Sequence, residues 1–124
     1  MRREELYLRD IIEATSAIER FLENISKSDF LESELLQSAV LQKLLIIGEA
    51  SSKISGELKS RYSKTPWKQI TGFRNIAIHA YFSINWEIVW FAATKNAPAL
   101  REQILKILET DFSGFEPENR DKWK

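Results

Sequence analysis

Cysteine is absent from this 124-residue chain, and histidine occurs once, at His79. No disulfide framework or thiolate metal site can form, and a lone imidazole is a poor basis for a zinc site. Glycine and proline are scarce, 4 and 3 residues, while 44% of the chain is hydrophobic and 29% charged, the profile of a compact helical protein rather than a disordered or fibrous one. No stretch approaches the roughly 20 apolar residues of a membrane span. Met1 to Glu5 is charged and leads into an amphipathic segment instead of a signal core, so a cytoplasmic protein with no membrane association is expected. Net charge is absent as well, with 18 basic and 18 acidic residues, and nothing global argues for nucleic acid. One absence is local: no Asp or Glu lies between Leu58 and Trp86, a segment that carries Lys59, Arg61, Lys64, Lys68, Arg74 and His79. A neutral protein with such a basic stretch can focus a polyanion onto one cleft, although the same lysines also suit an ordinary solvated loop.

The hydrophobic period is helical throughout, with no strand alternation and no internal repeat. Leu8, Ile11, Ile12, Thr15, Ile18, Leu22 and Ile25 predict a first helix from about Glu4 to Ile25. Ser26 to Asp29 breaks the pattern, and Ser28 or Ser33 can cap a second helix through Leu36, Val40, Leu44, Ile47 and Ile54 to Leu58. Between Leu44 and Ile47 this helix is apolar all round, which predicts a central position. Thr65-Pro66-Trp67 reads as the start of a short third helix, with Thr65 as cap and Pro66 at the first position. After an interruption at Ser83 to Trp86, capped by Asn85, a last long helix runs past Leu108, with a kink expected where the Pro98 ring meets the Thr94 carbonyl. The fold class is therefore all-α, an antiparallel bundle of four main helices plus a short helix, with one domain over residues 1–110 and a C-terminal extension over 111–124.

The densest chemistry lies in the run from Gly72 to Phe82, which contains Arg74, Asn75, His79 and Tyr81. Arginine supplies a permanent cation with a planar fork for phosphate, histidine titrates near neutral pH, and tyrosine offers a hydroxyl. Cleaving RNA needs a base for the 2′-hydroxyl, an acid for the leaving oxygen and a cation for the charge on the phosphate. On an ideal helix Asn75 and His79 share a face, whereas Arg74 and His79 lie about 140° apart, so the long arginine side chain must swing toward the imidazole. One histidine does not easily serve as both acid and base. A symmetric homodimer would place two His79 and two Arg74 side chains across one cleft. A second run, Leu45 to Ala50, places Gly48 in a helix interior at a cost of roughly 1 kcal/mol relative to alanine, which predicts close helix approach. Glu49 beside it is open to two readings, a partner that orients Arg74 or His79 and a solvated or interfacial salt bridge. Trp67, Trp86 and Trp90 read as core or dimer interface rather than platforms for base stacking.

Ile46-Ile47-Gly48-Glu49-Ala50, Pro66-Trp67-Lys68-Gln69-Ile70, and Gly72-Phe73-Arg74-Asn75 leading through His79 to Tyr81 and on to Val89-Trp90 resemble the HEPN domains. Within them the chain is similar to the HepT-like toxins paired with MntA-type nucleotidyltransferase antitoxins. The resemblance runs from the first helix to about Leu108, and Arg-x4-His-x-Tyr is matched in full. It implies an all-helical, HEPN-like homodimer acting as a metal-independent endoribonuclease toxin without cofactor. Arg74 and His79 would be catalytic and Asn75 supporting. Tyr81 would be the residue AMPylated by the antitoxin, with a higher-order complex between toxin and antitoxin as one possible assembly. The competing reading is a non-catalytic helical subunit that binds substrate or nucleotide for a separate nucleotidyltransferase, with Arg74 holding phosphate. The chain itself has no acidic metal pair and no Gly-rich phosphate loop, so it is not the transferase.

Overall fold

The computed structural model describes residues 3–80 and 85–112, excluding the side chains of Ala77, His79 and Ala80. Every regular element among them is helical: α1 (Glu4–Phe21), α2 (Lys27–Leu31), α3 (Glu34–Ser52), α4 (Gly56–Arg61), α5 (Trp67–Ala80), α6 (Trp86–Phe91), a π-helical turn (Ala92–Asn96) and α7 (Ala97–Asp111). The expectation of long helices with a single short one is thus corrected in detail. Three short helices and a π turn sit among the long ones, because local capping residues interrupt runs that hydrophobic spacing alone would join.

α1 stops at Phe21 rather than near Ile25, and Asn24 adopts a positive φ of 60°, a left-handed conformation that no helix continues through. Ser26 then opens α2 with a capping box: its hydroxyl accepts from the Asp29 N–H, and the Asp29 carboxylate accepts from the Ser26 N–H. Of the two expected caps of α3, Ser33 is the one used, accepting from Leu36 N–H. α3 does not reach Leu58. It ends at Ser52, and Ser55 caps a separate α4 by accepting from Leu58 N–H. The periodicity had run on because Ile54 and Leu58 are both buried across the break.

α5 begins at Trp67, where the Pro66 carbonyl already accepts from Ile70 N–H, so Pro66 stands one position before the expected one. Asn85 caps α6 through its side chain, as expected. A π turn stands immediately before α7, which carries Pro98 in its first turn, where a proline lacks no hydrogen bond of its own helix.

Packing puts α1 against α3 and α7, and α3 against α5. Glu4 at the start of α1 accepts from the N–H of Ser55, just beyond the end of α3, and Glu19 near the end of α1 pairs with Arg101 early in α7. Both pairings are therefore antiparallel. The core between them is made of fully buried Leu8, Ile11, Ile12 and Ile18 of α1, Val40, Leu44 and Ile47 of α3, Ile70 and Phe73 of α5, and Leu100, Ile104 and Leu108 of α7. Leu44 and Ile47 justify the central position predicted for α3, but Leu45 between them is 36% exposed. Trp86 and Trp90 pack on buried Phe30, and the Trp67 indole N–H donates to the Tyr62 carbonyl at 3.0 Å. All three tryptophans are thus engaged with the interior. No helix of the described residues is long and apolar enough to cross a membrane.

Candidate nucleic-acid site on the α3–α5 face

The two chemically suggestive runs meet where α3 crosses α5. A Cβ added to Gly48 would lie 2.6 Å from the backbone nitrogen of Arg74, 2.7 Å from its Cβ and 2.9 Å from its Cα. Those separations leave no room for any side chain, so the glycine is what allows the two backbones to touch. The cost of glycine in a helix interior is offset by a contact that no other residue permits. One turn further, the Ser51 and Thr71 hydroxyls hydrogen-bond at 3.2 Å. Gly48 opposite Arg74 and Ser51 opposite Thr71 define an antiparallel register.

In that register Glu49 reaches Arg74. Its Oε1 lies 2.9 Å from the guanidinium Nε, with the two side chains 46% and 47% exposed. A half-exposed contact with Arg74 fits both readings of Glu49, a partner that orients the guanidinium and a solvated salt bridge. The same register brings Leu45, one turn before Glu49, opposite residues 77–78 of α5, and Ile78 is 43% exposed. The α3–α5 face therefore carries a half-exposed ion pair, flanked on the His79 side by two exposed apolar residues.

Asn75 is exposed on α5, next to Arg74. His79 belongs to the last turn of α5, five residues beyond Arg74, and its side chain lies outside the described residues. Tyr81 lies outside them altogether. The structure thus joins Arg74 to Glu49 and places the His79 backbone on the same helix.

The basic segment divides into engaged and open cations. Arg61 approaches Asp111 at 3.4 Å, and the Lys59 ammonium stands 5.9 Å from the centroid of the Trp67 ring, whereas Lys64 and Lys68 are exposed. Asp111 also accepts a hydrogen bond from the Tyr62 hydroxyl at 2.8 Å. Burial, then that hydrogen bond and the nearby carboxylate charge, push the Tyr62 hydroxyl above its ordinary pKa. This cluster closes the end of α7 onto α4 and escaped sequence reasoning, since nothing in the spacing of Tyr62 and Asp111 links them. A groove of about 520 Å³ between α1 and α3, lined by Asp10, Glu13, Ser16, Arg20 and Lys43 among others, opens on the other flank of α3 and contains none of the site residues. Among the described residues, no three or more His, Asp or Glu side chains gather as a metal-holding group.

Comparison with known proteins gives the family of the chain. The family model described as "Ribonuclease HepT-like" matches residues 11–107, which include α3, α5 and the whole α3–α5 crossing. The chain belongs to the HepT-like ribonuclease family. Among its relatives, "Probable ribonuclease HepT" of Thermococcus cleftensis is 37% identical over 82% of this chain and 92% of its own length. "Putative RNase TTE0752" of Caldanaerobacter subterraneus is 35% identical over 85% of this chain and 94% of its own. A protein of Methanocaldococcus jannaschii, "Gamma-glutamylcyclotransferase and putative RNase MJ0434", is 36% identical over 85% of this chain, which spans only 47% of that longer protein. No solved structure matches the chain.

Proposed function

We propose that this protein is a metal-independent endoribonuclease, the toxin of a toxin–antitoxin pair in the cytoplasm, with its site on the α3–α5 face. The observation that carries the reading is Arg74: its guanidinium is half exposed, is held at Nε by Glu49, and lies on the same helix as the only histidine. Arg74 would bind the scissile phosphate and stabilise the charge that develops on it, and Asn75 would support that contact. The 2′-oxygen attacks phosphorus and gives its proton to one His79, while the P–O5′ bond breaks and the 5′-oxygen takes a proton from a second. The products are a 2′,3′-cyclic phosphate and a 5′-hydroxyl. Two histidines require two copies. The exposed Leu45 and Ile78 give the α3–α5 face an apolar margin that a homodimer would cover, bringing two Arg74 and two His79 into one cleft.

The partner we propose is an MntA-like nucleotidyltransferase antitoxin that AMPylates Tyr81. A nucleotide attached two residues from His79 would bring negative charge and bulk to the place of the RNA phosphate. Incubating the purified protein with RNA in EDTA tests the reaction: cleavage leaving 2′,3′-cyclic ends is expected, and activity only with added magnesium would contradict it. Nucleotide binding without any cleavage would instead favour a non-catalytic subunit of a two-component nucleotidyltransferase. A monomer in light scattering that still cleaves RNA would remove the composite cleft. With antitoxin and ATP, the Tyr81→Phe variant should escape modification and remain active.

A further inference from the structure

We infer that Glu49 is a positioning residue for Arg74, holding the guanidinium by its Nε edge so that the two terminal nitrogens face outward as a fork for phosphate. This rests on the ribonuclease reading for its activity readout, but not for its geometry. Arginine has five N–H donors, and the contact seen with Glu49 is at Nε. The four remaining donors sit on the two terminal nitrogens, the pair that grips a phosphate in bidentate fashion. A phosphate bound there adds to the Glu49 contact instead of competing with it.

Stability does not account for this arrangement. Both side chains are close to half exposed, and solvent screens a pair in that setting until it contributes little to folding. Yet the chain accepts an unfavourable helical glycine at Gly48 so that α3 can touch the backbone of Arg74 itself, and it fixes the register one turn away with Ser51 and Thr71. Three contacts in sequence, at residues 48, 49 and 51 of α3, converge on Thr71 and Arg74 in the middle of α5. Together they define where the Arg74 backbone stands and where its side chain points. A long, flexible arginine left free would have to be ordered by each substrate that binds; one held in place has already lost that freedom.

Glu49→Ala and Glu49→Gln separate this role from a structural one. The glutamine keeps a carbonyl oxygen that accepts from Nε, whereas alanine removes it. With RNA as substrate, Glu49→Ala should lower kcat by on the order of ten- to a hundred-fold, with a smaller change in KM, while Glu49→Gln recovers most of the rate. Both variants should melt close to the wild type. Independently of activity, the ¹⁵N-resolved Nε–H resonance of Arg74, identified by its loss in Arg74→Lys, should be sharp in the wild type and in Glu49→Gln and be averaged with solvent in Glu49→Ala. An Nε–H signal unchanged in Glu49→Ala would overturn the inference, as would a full rate in that variant. So would a rate loss that follows a fall in melting temperature and is not rescued by glutamine. A wild-type protein that cleaves no RNA would end the ribonuclease reading, while the Nε–H signal would still decide whether Glu49 holds Arg74.

Discussion

α3 has two unlike neighbours. With α1 it shares a core that includes Val40, Leu44 and Ile47, each with no exposed surface, together with Leu8, Ile11 and Ile12. Toward α5 it adds Gly48, Glu49 and Ser51, so that beside buried Ile70 and Phe73 the contact includes touching backbone, a half-exposed ion pair and two hydroxyls. The first interface removes apolar surface from water and stabilises the fold by that means. The second adds a backbone contact and an ion pair at its outer edge, and both fall on Arg74. The buried residues and the half-exposed ion pair are thus distinct parts of one helix, and the two should separate under mutation.

The largest effect is expected at the chemical end. His79→Ala should cost on the order of 10² to 10⁴ in RNA cleavage rate if the imidazole moves a proton, with an unchanged circular dichroism melt. Full activity in this variant would break the assignment. In the buried core of α3, Leu44→Ala should cost about 2–5 kcal/mol of stability, measured by urea unfolding, because it leaves a cavity among side chains that cannot all collapse into it. The specific activity of its folded fraction should stay near that of the wild type.

Gly48→Ala sharpens the comparison, since two effects oppose each other there. Alanine gains about 1 kcal/mol in helix propensity. Its Cβ, however, would come within 3 Å of three Arg74 atoms, two of them backbone, and the strain of moving α5 is about 1–3 kcal/mol. The clash should prevail, giving a modest loss in stability with a larger loss in cleavage, because the displaced atoms are those of Arg74. A stabilised and fully active variant would show that the close approach has no role in the site.

The smallest effect is at the foot of α7. Tyr62→Phe removes the hydrogen bond to Asp111, worth about 0.5–1.5 kcal/mol net. The Tyr62 pKa is raised in the folded state, so its contribution is fully present below the ordinary tyrosine value near 10 and is lost as pH rises through the folded value. Thermal melts from neutral to strongly alkaline pH should therefore fall less steeply in the phenylalanine variant, and cleavage measured at neutral pH should not change.

Much of this division was legible in the sequence, for identifiable reasons. Gly48 stood out because glycine is costly in a helix, and that cost pointed directly to the close approach. Arg74 and Asn75 were legible from residue type and spacing, and the buried faces of α1 and α3 from their period. Glu49 was visible but ambiguous, because only the register of α3 against α5 decides which side chain it meets. The ends of α1 and α3 were misjudged for a different reason. Hydrophobic spacing continued through Ile25 and Leu58 while the backbone turned at Asn24 and restarted at Ser26 and Ser55, where hydroxyl caps outweighed periodicity. The π turn before Pro98 is a backbone adjustment that no side-chain pattern records.

If the α3–α5 face holds the site, Arg74 is its cation. RNA cleavage by Arg74→Ala in EDTA, measured beside its melting curve, tests this most directly. We predict a protein that melts with the wild type, since the ion pair lost is a screened surface pair, and that has lost cleavage almost entirely. Cleavage at the wild-type rate, or a loss that merely tracks unfolding, would contradict the account.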